Sequence, residues 1–137
     1  MGYELDKRLQ DLSHLIRIID DIEIRLADDS RYLWIYLVPQ REDVSELDDL
    51  DPNMRERLLS LATDLSTRLK TYSQADKMNI AMIGNIVSQF HLHIVARHHN
   101  DEAWPDPIWG QGTMQPYDNT ESTRIVTALR GLMDAHK

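Results

Sequence analysis

Gly84-Asn85-Ile86-Val87-Ser88-Gln89-Phe90-His91-Leu92-His93-Ile94-Val95-Ala96-Arg97 decides how the rest of the chain is read. From Gln89 to Ile94 polar and apolar residues alternate, so in an extended strand Gln89, His91 and His93 share one face and Phe90, Leu92 and Ile94 the other. The strand is expected to have a chemical side and a core side. Polar groups about 7 Å apart at every second residue form a short comb able to address one small anionic or metal-bound group.

The flanking segments predict the scaffold. Leu5, Leu9, Leu12, Leu15, Ile16 and Ile19 recur at intervals of three and four, which predicts an amphipathic helix over 5–19. Ile22 to Ala27 and Arg31 to Val38 are rich in β-branched and aromatic residues around the polar Asp28-Asp29-Ser30, a hairpin pattern that Pro39 ends. From Gln40 to Asp51 the acids Asp43, Glu46, Asp48, Asp49 and Asp51 fall outside the helical stripe of Val44, Leu47 and Leu50, so a solvated short helix is favoured over a metal site. Asp51-Pro52 opens a long helix, with Leu58, Leu59, Leu61, Ala62, Leu65 and Leu69 on its apolar face and its end near Tyr72-Ser73. Lys77 to Ile83 reads as a strand, Gly84-Asn85 as a turn, and the comb as the next strand. Trp104-Pro105-Asp106-Pro107-Ile108-Trp109-Gly110 reads as a loop ordered by its indoles, and Thr120 to Ala135 as a closing amphipathic helix. The expected fold is a single α+β domain over residues 1–137, a mainly antiparallel sheet with helices packed on one face.

Composition narrows function. A net charge of −8 opposes non-specific binding of nucleic acid or an anionic membrane. No cysteine is present, which excludes thiolate metal sites and suits a cytoplasmic setting, and no apolar run approaches the roughly 20 residues of a membrane span. The start at Met1 does not read as a signal peptide.

Three readings of the comb remain open on the residues alone: a solvated strand face, a His-x-His metal site completed by a donor such as His98 or His99, and covalent catalysis at phosphorus. In the last, a neutral imidazole attacks phosphorus and then leaves as an easily displaced group, while a second imidazole contacts phosphate oxygens or the leaving group. His14 reads as a packing residue.

Gln89-x-His91-x-His93 followed by Ile94-Val95-Ala96-Arg97, the Trp-Pro loop, and Tyr32, Trp34, Val38 and Pro39 in the preceding hairpin resemble the histidine triad (HIT) superfamily of nucleotide hydrolases and transferases. The resemblance implies a HIT-like enzyme acting at the α-phosphate of a purine nucleotide, either a dinucleoside polyphosphate or a nucleoside phosphoramidate. It implies His91 as the nucleophile that forms a nucleotidyl-histidine and His93 as partner of the phosphate and leaving group. Gln89 stands where the first histidine of the triad is usual, a neutral orienting residue, and Glu42 follows Pro39 where the family often has a histidine. Asn85 and Ser88 are expected near phosphate oxygens, Asp28 at the ribose, Arg97 near phosphate charge, and Trp104 and Trp109 over the site or against a second subunit. The mechanism requires no tightly bound cofactor or metal, the acidic charge leaves no nucleic-acid or membrane partner expected, and the resemblance further implies a homodimer. The alternatives are a nucleotide-binding or regulatory module with little turnover, and a His-x-His metal-binding protein.

Overall fold

The computed structural model of the protein describes residues 2–134; Met1 and the Ala135 expected in the last helix lie outside the described residues. A five-residue helix α1 (Lys7–Asp11) leads into strands β1 (Ser13–Ile19), β2 (Ile22–Ala27) and β3 (Leu33–Pro39). Helix α2 (Pro52–Ser73), strands β4 (Lys77–Ala81) and β5 (Leu92–Arg97), and helix α3 (Asn119–Asp134) follow. The five strands form one antiparallel sheet in the order β1-β2-β3-β5-β4, an α+β architecture.

The N-terminal helix expected over 5–19 is a correction: most of it is strand β1. A β-bulge explains the misleading period, because the pairing register with β2 shifts between Leu15 and Arg17 and leaves Ile16 as the extra residue. Ile16 and Ile19 therefore both face the larger core at a spacing of three, while Leu12, Leu15 and Ile18 stay exposed. Arg130 of α3 donates through Nε to the Ile16 carbonyl, so the bulge's backbone acceptor is satisfied by the helix packed over it.

The hairpin and the long helix match expectation. Asp51 caps α2 by accepting from the Met54 N–H at 2.8 Å, Pro52 occupies the first helical position, and Gln74 closes the helix at φ 55°. Leu58, Leu61, Ala62, Leu65 and Leu69 are buried as predicted; Leu59 is turned out and Met54 takes its place in the core. The acidic segment before α2 holds only a short 3-10 turn, Leu47–Asp49.

Alternation along the strands splits the sheet into two faces. Ile22, Ile24, Leu26, Ile35, Leu37, Leu92 and Ile94 pack with α2 and α3 in the larger core. Each fully buried side chain of that size contributes roughly 1.5–3 kcal/mol. The opposite face carries Trp34, Tyr36, Val38 and Val95, and instead of open solvent it meets Tyr3 and Leu5 of the N-terminal segment, Leu9 of α1, and Ala103, Ile108 and Trp109 from the loop after β5. Among the described residues no helix is long and apolar enough to cross a membrane.

Candidate active site

The register of β5 against β3 sets Tyr36 opposite His93, and the register against β4 sets Ala81 opposite it. His93 thus projects into the aromatic layer of the second face. His91 lies one residue before the strand begins, so the comb is not one continuous strand as expected: β5 starts at Leu92 and Gln89 sits in a bend. The two imidazoles still meet, with ring centroids 4.7 Å apart and planes inclined at 67°.

Hydrogen bonding sets the two rings in opposite tautomers. His91 Nδ1 is 2.7 Å from the carbonyl oxygen of Gln89, which can only accept, so Nδ1 carries the proton and the lone pair is on Nε2. His93 Nδ1 is 3.0 Å from the indole nitrogen of Trp34, which can only donate, so the proton of the neutral ring is on Nε2. A basic nitrogen and an N–H donor are therefore presented by neighbouring rings.

Both rings are kept neutral at pH 7. Burial pushes His91 below the usual histidine range, while its bond to Gln89 and the charge of Asp6 oppose that shift. Burial lowers His93 to about 3, with the neighbouring His91 acting in the same direction. His93 is enclosed by Tyr36, Trp34 and Trp109, with Trp109 edge-on at 5.0 Å between centroids. On the His91 side a cavity of about 190 Å³ opens between Ser45, Leu47, Met82, Ile83 and Phe90.

Gln89 turns its side chain away from the pair. Its Oε1 accepts from the Asp6 N–H and its Nε2 donates to the Glu4 carbonyl, both at 2.8 Å, in a two-point clasp on the N-terminal segment. Its contact with His91 is through the backbone carbonyl. Ser88 and Gln89 also border a cleft shared with Glu4, Asp6 and Asp43, an acidic rim. Asn85 and Ser88 are exposed.

The other expected residues are distributed more widely. Asp28 accepts from the Tyr117 N–H at 3.1 Å and pairs with His14 Nε2 at 3.0 Å, joining the hairpin loop to the segment before α3. Arg97 is 2% exposed and binds Asp101, the Asn79 side chain and the Asp106 carbonyl, with its guanidinium over Tyr32 and Trp104. It pins the loop after β5. Trp104 packs on His99, so of the two loop tryptophans Trp109 is the one against His93. Glu42 accepts from the Gly2 N–H. His98 bonds the Ser73 carbonyl and His99 faces Asp76, and no group of three or more His, Asp or Glu residues among those described could hold a metal ion. The sequence patterning names Trp34 only as part of a motif; its phase with Tyr36 and Val38, opposite to Ile35 and Leu37, is the signal that places it on the histidine face.

Comparison with known proteins bears on the family and the fold. A family model described as HIT domain matches residues 8–100. A histidine triad protein from Bradyrhizobium japonicum is 36% identical with a TM-score of 0.91, covering 96% of this chain and 98% of its own. A histidine triad protein from Sinorhizobium meliloti 1021 is 34% identical with a TM-score of 0.91, covering 96% of each chain. One from Marinobacter aquaeolei VT8 is 30% identical with a TM-score of 0.95 and covers 98% of both chains. No curated protein matches this chain.

Proposed function

This chain belongs to the histidine triad (HIT) family, and from that premise we propose that it binds a purine nucleotide and transfers the nucleotidyl group by attack at the α-phosphorus, through a covalent intermediate on His91. The observation that carries the reading is the unprotonated Nε2 of a neutral, buried His91 beside the Nε2–H of His93. The His91 Nε2 electron pair forms an N–P bond as the bond from phosphorus to the leaving group breaks, with the departing pair staying on the leaving group. His93 donates a hydrogen bond to a phosphate oxygen or to the leaving atom. Water then forms an O–P bond, the N–P pair returns to Nε2, and the surplus proton passes to solvent. The Gln89 carbonyl holds the Nδ1 proton throughout and stabilises the positive charge of the nucleotidyl-imidazolium.

Dinucleoside polyphosphates and nucleoside phosphoramidates are the substrate classes in view. No cofactor is required by the two steps, and the absence of cysteine fits a cytoplasmic protein. A homodimer is part of the proposal, supported by the edge position of β4 and its exposed Ile80 and the neighbouring Met82.

Mixing the protein with diadenosine tetraphosphate, quenching in base and measuring intact mass tests the chemistry. The expected result is an adenylyl adduct mapped to His91 by peptide mass. Nucleotide release with no adduct, or an adduct mapped to another residue, overturns the nucleophile assignment. A second reading, a nucleotide-binding module with little turnover, is favoured by Gln89, which stands in place of a histidine and spends its side chain on the N-terminal segment. It predicts saturable mononucleotide binding with no adduct.

A further inference from the structure

The indole of Trp34 limits what His93 can do. Protonating His93 Nδ1 would place two N–H groups head-on across 3.0 Å in a buried site, losing the hydrogen bond and setting like dipoles against each other. Trp109 packs edge-on against both His93 and Trp34, and those two side chains are 5% and 7% exposed, which leaves the indole as the donor to His93 Nδ1. Burial works in the same direction. His93 therefore stays a neutral ring with its proton on Nε2. Such a ring donates a hydrogen bond well, but giving up that proton would leave an imidazolate, so it is no proton donor.

Resting on the reading of His91 as nucleophile, we infer that Trp34 is a positioning residue that sets leaving-group preference. Through His93, it makes the site act on nucleotides whose leaving group departs as a phosphate anion and discriminate against those that release an amine. When a phosphate leaves, the bridging P–O bond breaks, its pair goes to a phosphate oxygen, and no proton has to move, because a phosphate monoester has a second pKa of about 6. When an amine leaves, the P–N pair stays on nitrogen, which must gain a proton as it departs. Neutral His93 does not provide one, and the missing general acid is worth about 100-fold or more. Among the classes in view this selects dinucleoside polyphosphates.

Three measurements on the full chain test this. In the ¹⁵N-imidazole spectrum of the parent, His93 is expected as the Nε2–H tautomer from pH 5 to 8; an Nδ1–H or doubly protonated ring at pH 6 would overturn the inference whatever the activity. The parent is expected to show kcat/KM for diadenosine tetraphosphate about 100-fold above that for an adenosine phosphoramidate of a primary amine. Replacing Trp34 by benzothienylalanine, in which sulfur stands for the indole N–H at nearly equal volume, removes the donor alone, with Trp34→Phe as the simpler variant. Both should narrow that ratio by about tenfold or more and give phosphoramidate cleavage a new alkaline limb as His93 becomes protonatable. A parent that prefers the phosphoramidate, or a donor-free variant with an unchanged ratio, sinks the role of Trp34 and leaves His91 chemistry standing. Absence of any His91 adduct with either substrate sinks the underlying reading and the preference with it, while the tautomer measurement still decides the Trp34–His93 pairing.

Discussion

The carbonyl oxygen of Gln89 stands 2.7 Å from His91 Nδ1, so the residue two places before the candidate nucleophile fixes its tautomer through the backbone. Any amino acid at position 89 can supply that oxygen if the bend is kept. The aiming of His91 is thus separable from the chemistry of the Gln89 side chain. His91→Ala is expected to abolish adduct formation and lower kcat by roughly 10³-fold or more, by analogy with loss of other nucleophiles. Steady-state kinetics beside circular dichroism checks this; a folded variant with near-parental turnover would remove His91 from the mechanism.

The Gln89 side chain has a different task. Its amide holds the Asp6 N–H and the Glu4 carbonyl at once, a pairing that needs one acceptor and one donor in a planar fork. Gln89→Ala should free the N-terminal segment, raising amide exchange at Asp6 and costing about 1–2 kcal/mol in denaturant unfolding. His91 keeps its backbone partner, so the loss in kcat should be far smaller than for His91→Ala. Gln89→His, which restores the usual triad spelling, lacks the fork and should also loosen the segment. Unchanged exchange at Asp6 in both variants would contradict the clasp.

The sequence discloses the sheet where local and tertiary preferences agree. Asp51-Pro52 marks the start of α2 because cap and proline act within one turn, and the alternation from His91 to Ile94 marks the two faces of β5. Strand β1 is misread because the extra residue at Ile16 converts a period of two into a spacing of three. Arg97 is placed at a strand end, where arginines are usually solvated, and only the returning loop with Asp101 and Asp106 explains its burial. The Trp34–His93 bond joins residues 59 apart, and no local pattern encodes such a pairing.

Stability should depend on pH through the neutral histidines. An unfolded histidine titrates near about 6.5, whereas folded His93 has its pKa lowered to about 3 and His91 is lowered as well. Folding therefore favours the deprotonated rings, a contribution fully present above about pH 6.5 and lost progressively as pH falls towards about 3. The slope is at most about 1.4 kcal/mol per pH unit for each ring. The carboxylates held low, Asp6, Asp49, Asp101 and Glu121, lose their contribution in a lower window that begins near about pH 4.5. Urea unfolding at pH 7 and pH 5 isolates the histidine part, and His93→Gln should flatten the difference. An equal pH slope in parent and variant would refute the assignment.

Arg97→Lys is expected to act on stability more than on nucleotide affinity. Lysine keeps the charge near Asp101 but cannot reach Asp101, Asn79 and the Asp106 carbonyl together. A loss of about 1.5–3 kcal/mol in unfolding free energy follows from losing charged hydrogen bonds in a buried site while the charge is kept. Trp104 fluorescence should shift as its stacking cation leaves. A variant with parental stability and a sharply raised KM would instead restore the arginine to a phosphate-binding role.

The edge at β4 bears on assembly. Ile80 and Met82 are 47% and 46% exposed on or just after an edge strand whose free backbone groups invite a further strand. Pairing with the same strand of a second copy satisfies both edges by one two-fold operation and covers the apolar side chains of each protomer. Ile80→Lys sets like charges close together about that axis while leaving the buried core untouched, so it should shift sedimentation from dimer to monomer with little change in the unfolding of the protomer. Strand β1 is the other edge and also exposes Leu15 and Ile18, so the parallel variant Ile18→Lys separates the two surfaces. Dissociation by Ile18→Lys alone would move the interface to β1, and a parent that sediments as a monomer at micromolar concentration would remove the dimer from the proposal.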